Sequence, residues 1–312
     1  MGTRRDFIKQ SSLVGLASVV NPFETLATIP QATTNEKTKW ADGSRLVVSV
    51  SMQFEAGNQP NNADSPFPKI KDGFKDLPAD TWFQYGYKEG IPRMLDNWDK
   101  LGIKVTSHMV GAAVLKNPEL AKEIVSRGHE AAAHGMNWSN SYNMSYEDET
   151  KFIKDGVDAV KNATGATPIG YNANWLRRGE NTLSVLQELG FKYHIDDLSR
   201  DEPFIIQVNN KDFVVVPYTL RCNDILLIEG KGFSTDQFFN QVKAEFDQLY
   251  AESEYKRRQL SISFHDRIGG TPQMVKTAYD LIKYIQSHKG VSFKRKDEIA
   301  EIALHDKTTI RE

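Results

Sequence analysis

Cysteine is almost missing from the 312 residues: Cys222 stands alone, so no internal disulfide can brace the fold. A charge of one sign is missing too, because 39 Lys+Arg offset 41 Asp+Glu and leave −2. That balance gives no field to draw in nucleic acid or an anionic membrane surface. No apolar run approaches the ~20 residues of a membrane-spanning helix. No glycine-rich phosphate loop follows any candidate strand, which weighs against a nucleotide-binding sheet. Internal repeats and low-complexity tracts are absent as well. What is present, 39% hydrophobic and 26% charged residues, is the composition of an ordinary globular core and excludes disorder or a collagen-like chain.

The first residues read Thr3-Arg4-Arg5-Asp6-Phe7-Ile8-Lys9, followed by a mildly apolar run from Ser11 to Val20. The pattern resembles a twin-arginine export signal. Small residues around Thr25-Leu26-Ala27 suit a signal peptidase, with cleavage after Ala27. The expectation is therefore a signal over 1–27, a polar linker over 28–43, a folded unit over 44–304 and a tail over 305–312. The mature chain would be periplasmic or extracellular, without membrane insertion.

From Arg45 onward short apolar, often β-branched runs alternate with longer stretches of helical period. Strands are expected at Leu46–Ser51, Val105–Val110, His129–His134, Thr167–Tyr171, Tyr193–Asp196, Phe213–Pro217, Leu260–Phe264 and Val291–Lys294. Helices are expected between them: Lys88–Leu101 stopping at Gly102, one opening at Asn117-Pro118, one behind Ser145, then Asn181–Leu189, Thr235–Tyr250 and Thr271–Ser287. The succession predicts one α/β unit, a distorted or incomplete (β/α) barrel of seven or eight parallel strands. The polar stretch Asn58–Tyr85 reads as a long loop over the site.

In such barrels chemistry sits at the C-terminal ends of the strands. Those ends carry Glu55, His134, Tyr171, Trp175, Asp196-Asp197, Tyr218, Asn223-Asp224 and His265-Asp266-Arg267, an acid, two histidines and aromatics suited to a hydrolytic pocket. His129 and His108 read as structural, and Cys222 as an unreactive buried thiol.

Gly128-His129-Glu130-Ala131-Ala132-Ala133-His134-Gly135 resembles the second motif of the NodB-type polysaccharide deacetylases, carbohydrate esterase family 4. The preceding Asn117–Arg127, the segment Pro217–Leu220 with Asn223-Asp224, and Phe264-His265-Asp266-Arg267 before Gly270 and Pro272 are similar to its branch of metal-independent allantoinases. The resemblance covers about Leu46 to Ile302. It implies Glu55 as general base, His134 as a site histidine and His265 as the acid that protonates the leaving nitrogen. It also implies a divalent metal such as zinc, held by one aspartate of an Asp-Asp pair and by the two histidines of a His-x-x-x-His pair. Here Ala56 and Trp138 stand at two of those positions, leaving His134 as the only retained candidate ligand, and no cofactor is expected.

Trp138, Trp175, Tyr218, Asn223, Asp224 and Arg267 are expected to bind substrate, and a partly dry pocket to raise the pKa of Glu55. The expected function is an exported hydrolase of non-peptide C–N bonds acting on an N-acetylated sugar or glycan. The alternatives are a metal-independent, allantoinase-like amidohydrolase of a small amide and a catalytically silent binding protein. The expected partners are that substrate and further copies of the same chain.

Overall fold

A computed structural model describes residues 39–57, 59–60 and 63–312. The expected export signal and residues 28–38 of the expected linker lie outside the described residues. Among the described residues no helix is long and apolar enough to cross a membrane.

The chain runs β1 (Leu46–Phe54), α1 (Leu77–Tyr85), α2 (Ile91–Leu101), β2 (Thr106–Met109), α3 (Gly111–Lys116), α4 (Pro118–Ser126), β3 (Glu130–Ala133), α5 (Tyr146–Thr164), β4 (Gly170–Tyr171), α6 (Thr182–Glu188) and β5 (Tyr193–His194). It continues through β6 (Phe204–Val208), β7 (Lys211–Val215), α7 (Thr235–Glu252), β8 (Arg258–His265), α8 (Asp266–Gly269), α9 (Pro272–Gln286), β9 (Val291–Phe293), α10 (Lys296–His305) and β10 (Ile310–Arg311). The sheet order is β10-β6-β7-β5-β4-β3-β2-β1-β8, with β9 beside β1. All pairs are parallel except the antiparallel hairpin of β6 and β7. The curled sheet is a half-barrel, as the alternating pattern predicts.

β1 shows why. Its outward residues Leu46, Val48, Val50, Met52 and Phe54 pack with Leu95 and Trp98 of α2, Phe238 and Val242 of α7 and Ile282 of α9, burying one apolar face in the helical layer. The intervening Val47, Ser49, Ser51 and Gln53 face the lumen. The floor is closed by the first turn of α10, where the Lys296 amide donates to Thr106 Oγ1 (2.8 Å) and the Asp297 amide to Glu130 Oε2 (3.1 Å). Between β7 and β8 the ladder fails. The chain after β7 spans that seam by one bridge, Asn223 to Ser263, and by Ser261 Oγ donating to the Pro217 carbonyl at 2.7 Å.

The departures from expectation have local causes. β6 was unforeseen, although Asn209-Asn210 at φ 50° and 59° is the two-residue turn that right-handed strand twist favours. β10 occupies the expected tail, and Trp40 of the expected linker is buried against Val47. The stretch expected as a loop to Tyr85 becomes helical at Leu77, capped by Asp76, whose side chain accepts from the Ala79 amide. Asn117 does not cap α4 with its side chain.

Gly86–Gly90 is a π-helical turn between α1 and α2 and rests on Asp266. A Cβ at Gly90 would lie 2.0 Å from the Asp266 carbonyl oxygen, and one at Gly86 2.7 Å from its carboxyl carbon. Gly90→Ala is therefore expected to destabilise the fold by about 3 kcal/mol, the upper end for overpacking, read as a lowered denaturant midpoint. An unchanged midpoint would mean that the turn yields freely.

Candidate active site

Glu55 leaves the upper end of β1, and its backbone is fixed first. The Glu55 and Ala56 amides both donate to Asp266 Oδ2, at 3.0 and 2.9 Å. The Glu55 carbonyl accepts from the Trp138 indole N–H at 3.1 Å. Its carboxylate then meets three partners: Arg267 Nη1 at 2.9 Å from Oε2, with His134 Nε2 at 3.3 Å and His265 Nε2 at 3.7 Å from Oε1.

Each imidazole is aimed from behind. His134 Nδ1 donates to the Asn172 carbonyl at 2.8 Å. The segment around Asn172 is held by Asp196, whose carboxylate accepts from Asn172 Nδ2 and the Ala173 amide, both at 2.9 Å. His265 Nδ1 donates to Asp224 Oδ1 at 2.6 Å, and the His265 amide to Asp224 Oδ2 at 2.7 Å. Both rings thus carry a proton on Nδ1 and turn Nε2 to the same carboxylate oxygen.

The electrostatics reverse one expectation. Burial alone would raise the Glu55 carboxyl, but His265, His134 and Arg267 outweigh it and hold the group well below the ordinary carboxylate range. Burial likewise opposes charge on His265, yet Glu55 and Asp224 prevail and raise its pKa. Glu55 is therefore an ionised acceptor at any neutral pH, and His265 is biased toward the imidazolium. Burial pushes Asp196 up to about 6.

Glu55, His134, His265, Trp138, Trp175, Tyr218, Asn223 and Arg267 all line one partly enclosed cavity of about 380 Å³. Asp224 does not. Its carboxylate is wholly buried behind His265 and spends both oxygens on that residue, so it orients the imidazole and cannot reach substrate. Arg267 is almost fully buried and stacked among the rings of Trp82, Phe83 and Trp138, with centroids at 5.0, 5.1 and 5.3 Å. It serves Glu55 first. Trp175 stands half exposed at the rim, and with Leu176 it holds left-handed backbone at φ 53° and 58°. The Asn223 side chain bonds within its own loop, accepting from the Ile225 amide at 3.1 Å. Pro60, Ala63 and Asp64 from the expected lid line the cavity as well.

Gln53, Trp82 and Phe83 were missed. Gln53 lines the cavity floor and was legible as the residue one pleat below Glu55. The aromatic pair lay hidden in the stretch expected to be loop. Cys222 is buried and burial pushes its thiol up to about 12, as expected of an unreactive group. His129 is buried at the start of β3, where Nδ1 accepts from the Val105 amide at 3.1 Å.

The donor set does not suit a divalent metal. Ala56 presents a buried methyl group in a cluster with Ala79, Phe83, Trp82 and Trp138, and the neighbouring cation is the Arg267 guanidinium. Among the described residues no group of three or more His, Cys, Asp or Glu is placed to hold a metal ion.

Comparison with known proteins agrees with this fold. Residues 80–194 match the family described as Polysaccharide deacetylase. The crystal structure of a probable polysaccharide deacetylase from Pseudomonas aeruginosa PAO1 superposes with a TM-score of 0.80 at 27% identity, over 87% of this chain and 95% of that one. PuuE allantoinase does so equally, with a TM-score of 0.80 at 27% identity over 88% and 96%. The peptidoglycan deacetylase of Helicobacter pylori (strain ATCC 700392 / 26695) is 26% identical over 245 residues, 68% of this chain and 83% of its own. By these matches the chain resembles the polysaccharide deacetylases, carbohydrate esterase family 4, whose family model covers residues 80–194.

Proposed function

We propose that the protein is an exported, metal-independent hydrolase of a small amide. The carrying observation is the Glu55 carboxylate, bound by a caged guanidinium and two imidazoles on the floor of a partly enclosed cavity. Water lying against Glu55 Oε1 gives that oxygen a proton as its own oxygen attacks the amide carbon. His134 and Arg267 face the negative charge that develops on the carbonyl oxygen. His265, kept charged by Asp224 and Glu55, passes its Nε2 proton to the leaving nitrogen, and the C–N bond breaks. The Glu55 proton then returns to His265 across the short gap between them.

A second reading, deacetylation of an N-acetylated glycan, draws on Trp175 and Leu220, which are 51% and 45% exposed at the rim and could stack on sugar rings. C–N bond hydrolysis of small cyclic and linear amides, and acetate release from N-acetylated glycans, separate the two when measured with and without a chelator. Chelator-resistant hydrolysis of a small amide is expected. Glycan deacetylation that stops on chelation would overturn the proposal. Signal cleavage after Ala27 and recovery outside the cytoplasm would support export.

A further inference from the structure

Above Val47, the inward faces of β1, β2 and β8 are polar where barrels of this kind mostly carry branched apolar side chains. Below Glu55 on β1 come Gln53, Ser51 and Ser49, in register with His265, Ser263 and Ser261 of β8. His108 of β2 lies opposite Gln53. From the floor Lys296 reaches in and donates to Ser49 Oγ at 3.0 Å and Ser261 Oγ at 3.4 Å. All of these side chains are buried.

Several of their atoms find no protein partner: Ser51 Oγ, Gln53 Oε1, Gln259 Oε1 and both ring nitrogens of His108. Burial, helped by Lys296, holds His108 neutral, so its ring offers one donor and one acceptor, neither of them used. Native proteins rarely leave such groups unpaired, and a polar site of sufficient size takes in water. A cavity of about 20 Å³, enough for one water, lies in the β7–β8 seam against Tyr218, Gln259 and Ser261, with Asp201 and Arg221 on its outer side. Tyr218 borders both this cavity and the large one, with its hydroxyl bound to Gln53 Nε2 at 2.7 Å and to Ser263 Oγ.

We propose that the lumen beneath the site is a water-binding site organised by His108, and that the hydrolase draws the water it consumes from this column when substrate fills the mouth. Each turnover takes one water, whose oxygen goes to the acyl carbon and whose proton goes to Glu55, and the seam refills the column. The supply role rests on the proposed hydrolysis; the water site does not.

The first measurement needs no substrate. In the isotope-labelled mature protein, the His108 Cε1 proton is expected to show a nuclear Overhauser effect to water that stays longer than about a nanosecond. Oxygen-17 relaxation dispersion should count fewer long-lived waters in His108→Leu than in wild type, with His108→Asn restoring them. A dry ring in wild type overturns the site even if no variant folds. For a small amide that the wild type hydrolyses, His108→Leu should lower kcat about tenfold with KM nearly constant, and His108→Asn should recover most of it. An unchanged kcat in a folded variant that has lost its water overturns the supply role. Absence of any amide turnover in wild type removes the supply role together with the hydrolase reading, and leaves the water site to its own readout.

Discussion

Glu55→Gln is expected to lower turnover of a small amide by a factor on the order of 10²–10⁴, the usual range for one general acid–base group, while substrate still binds. The substitution keeps the shape. Its amide oxygen can still accept from Arg267, so the fold should hold, which a thermal melt would check. Two things are lost together. No carboxylate remains to take the proton from water, and His265 loses the first of the charges that raise its pKa. Paired steady-state kinetics and calorimetric binding would show the split, and unchanged hydrolysis would remove Glu55 from the mechanism.

Asp224→Asn should cost as much without touching the cavity. Asp224 accepts from both the ring and the backbone amide of His265. An asparagine has one acceptor oxygen for those two donors, so either the ring or the backbone must turn, and the Nδ1 tautomer is no longer enforced. A loss on the order of 10²–10⁴ in kcat follows, comparable to removing the orienting carboxylate of other His-based sites. The pH profile carries a signature that a packing defect would not. In wild type the acid His265 is needed protonated and its pKa is raised, so activity persists above the ordinary histidine range, near 6.5, and falls as pH rises through the raised value. Without Asp224 that alkaline limb should move to lower pH. A variant with lower activity and an unmoved limb would show that Asp224 only supports the loop.

Most of the strand order was legible because buried parallel strands leave short apolar runs, and those from Leu46 to Val291 all returned as strands. β10 is too short and too polar to announce itself, and α1 lies within a polar stretch where the Asp76 cap is its local signal and its packing against Asp266 and Arg267 comes from the fold. The site was legible as a set of residue types at strand ends. Its wiring was not. Sequence order puts Asp224 and Arg267 beside other polar residues, but only the fold turns one toward the back of His265 and the other onto Glu55. The expected rise in the Glu55 pKa failed for the same reason: burial was foreseen, while the three cationic or protonatable neighbours came from β3, β8 and α8, far apart in the chain.

The seam between β7 and β8 also bears on solubility. A curled sheet that stops short of closure should expose two strands' worth of unpaired backbone, a ready template for pairing with other chains. Here the stretch from Pro217 to Asn223 covers the free side of β8. Beyond β6 the sheet ends in β10, only two residues long and carrying Arg311 paired to Asp212 at 2.6 Å. The protein thereby keeps the open-sided lumen of a half-barrel without presenting the long sticky edge that an unclosed sheet would otherwise offer.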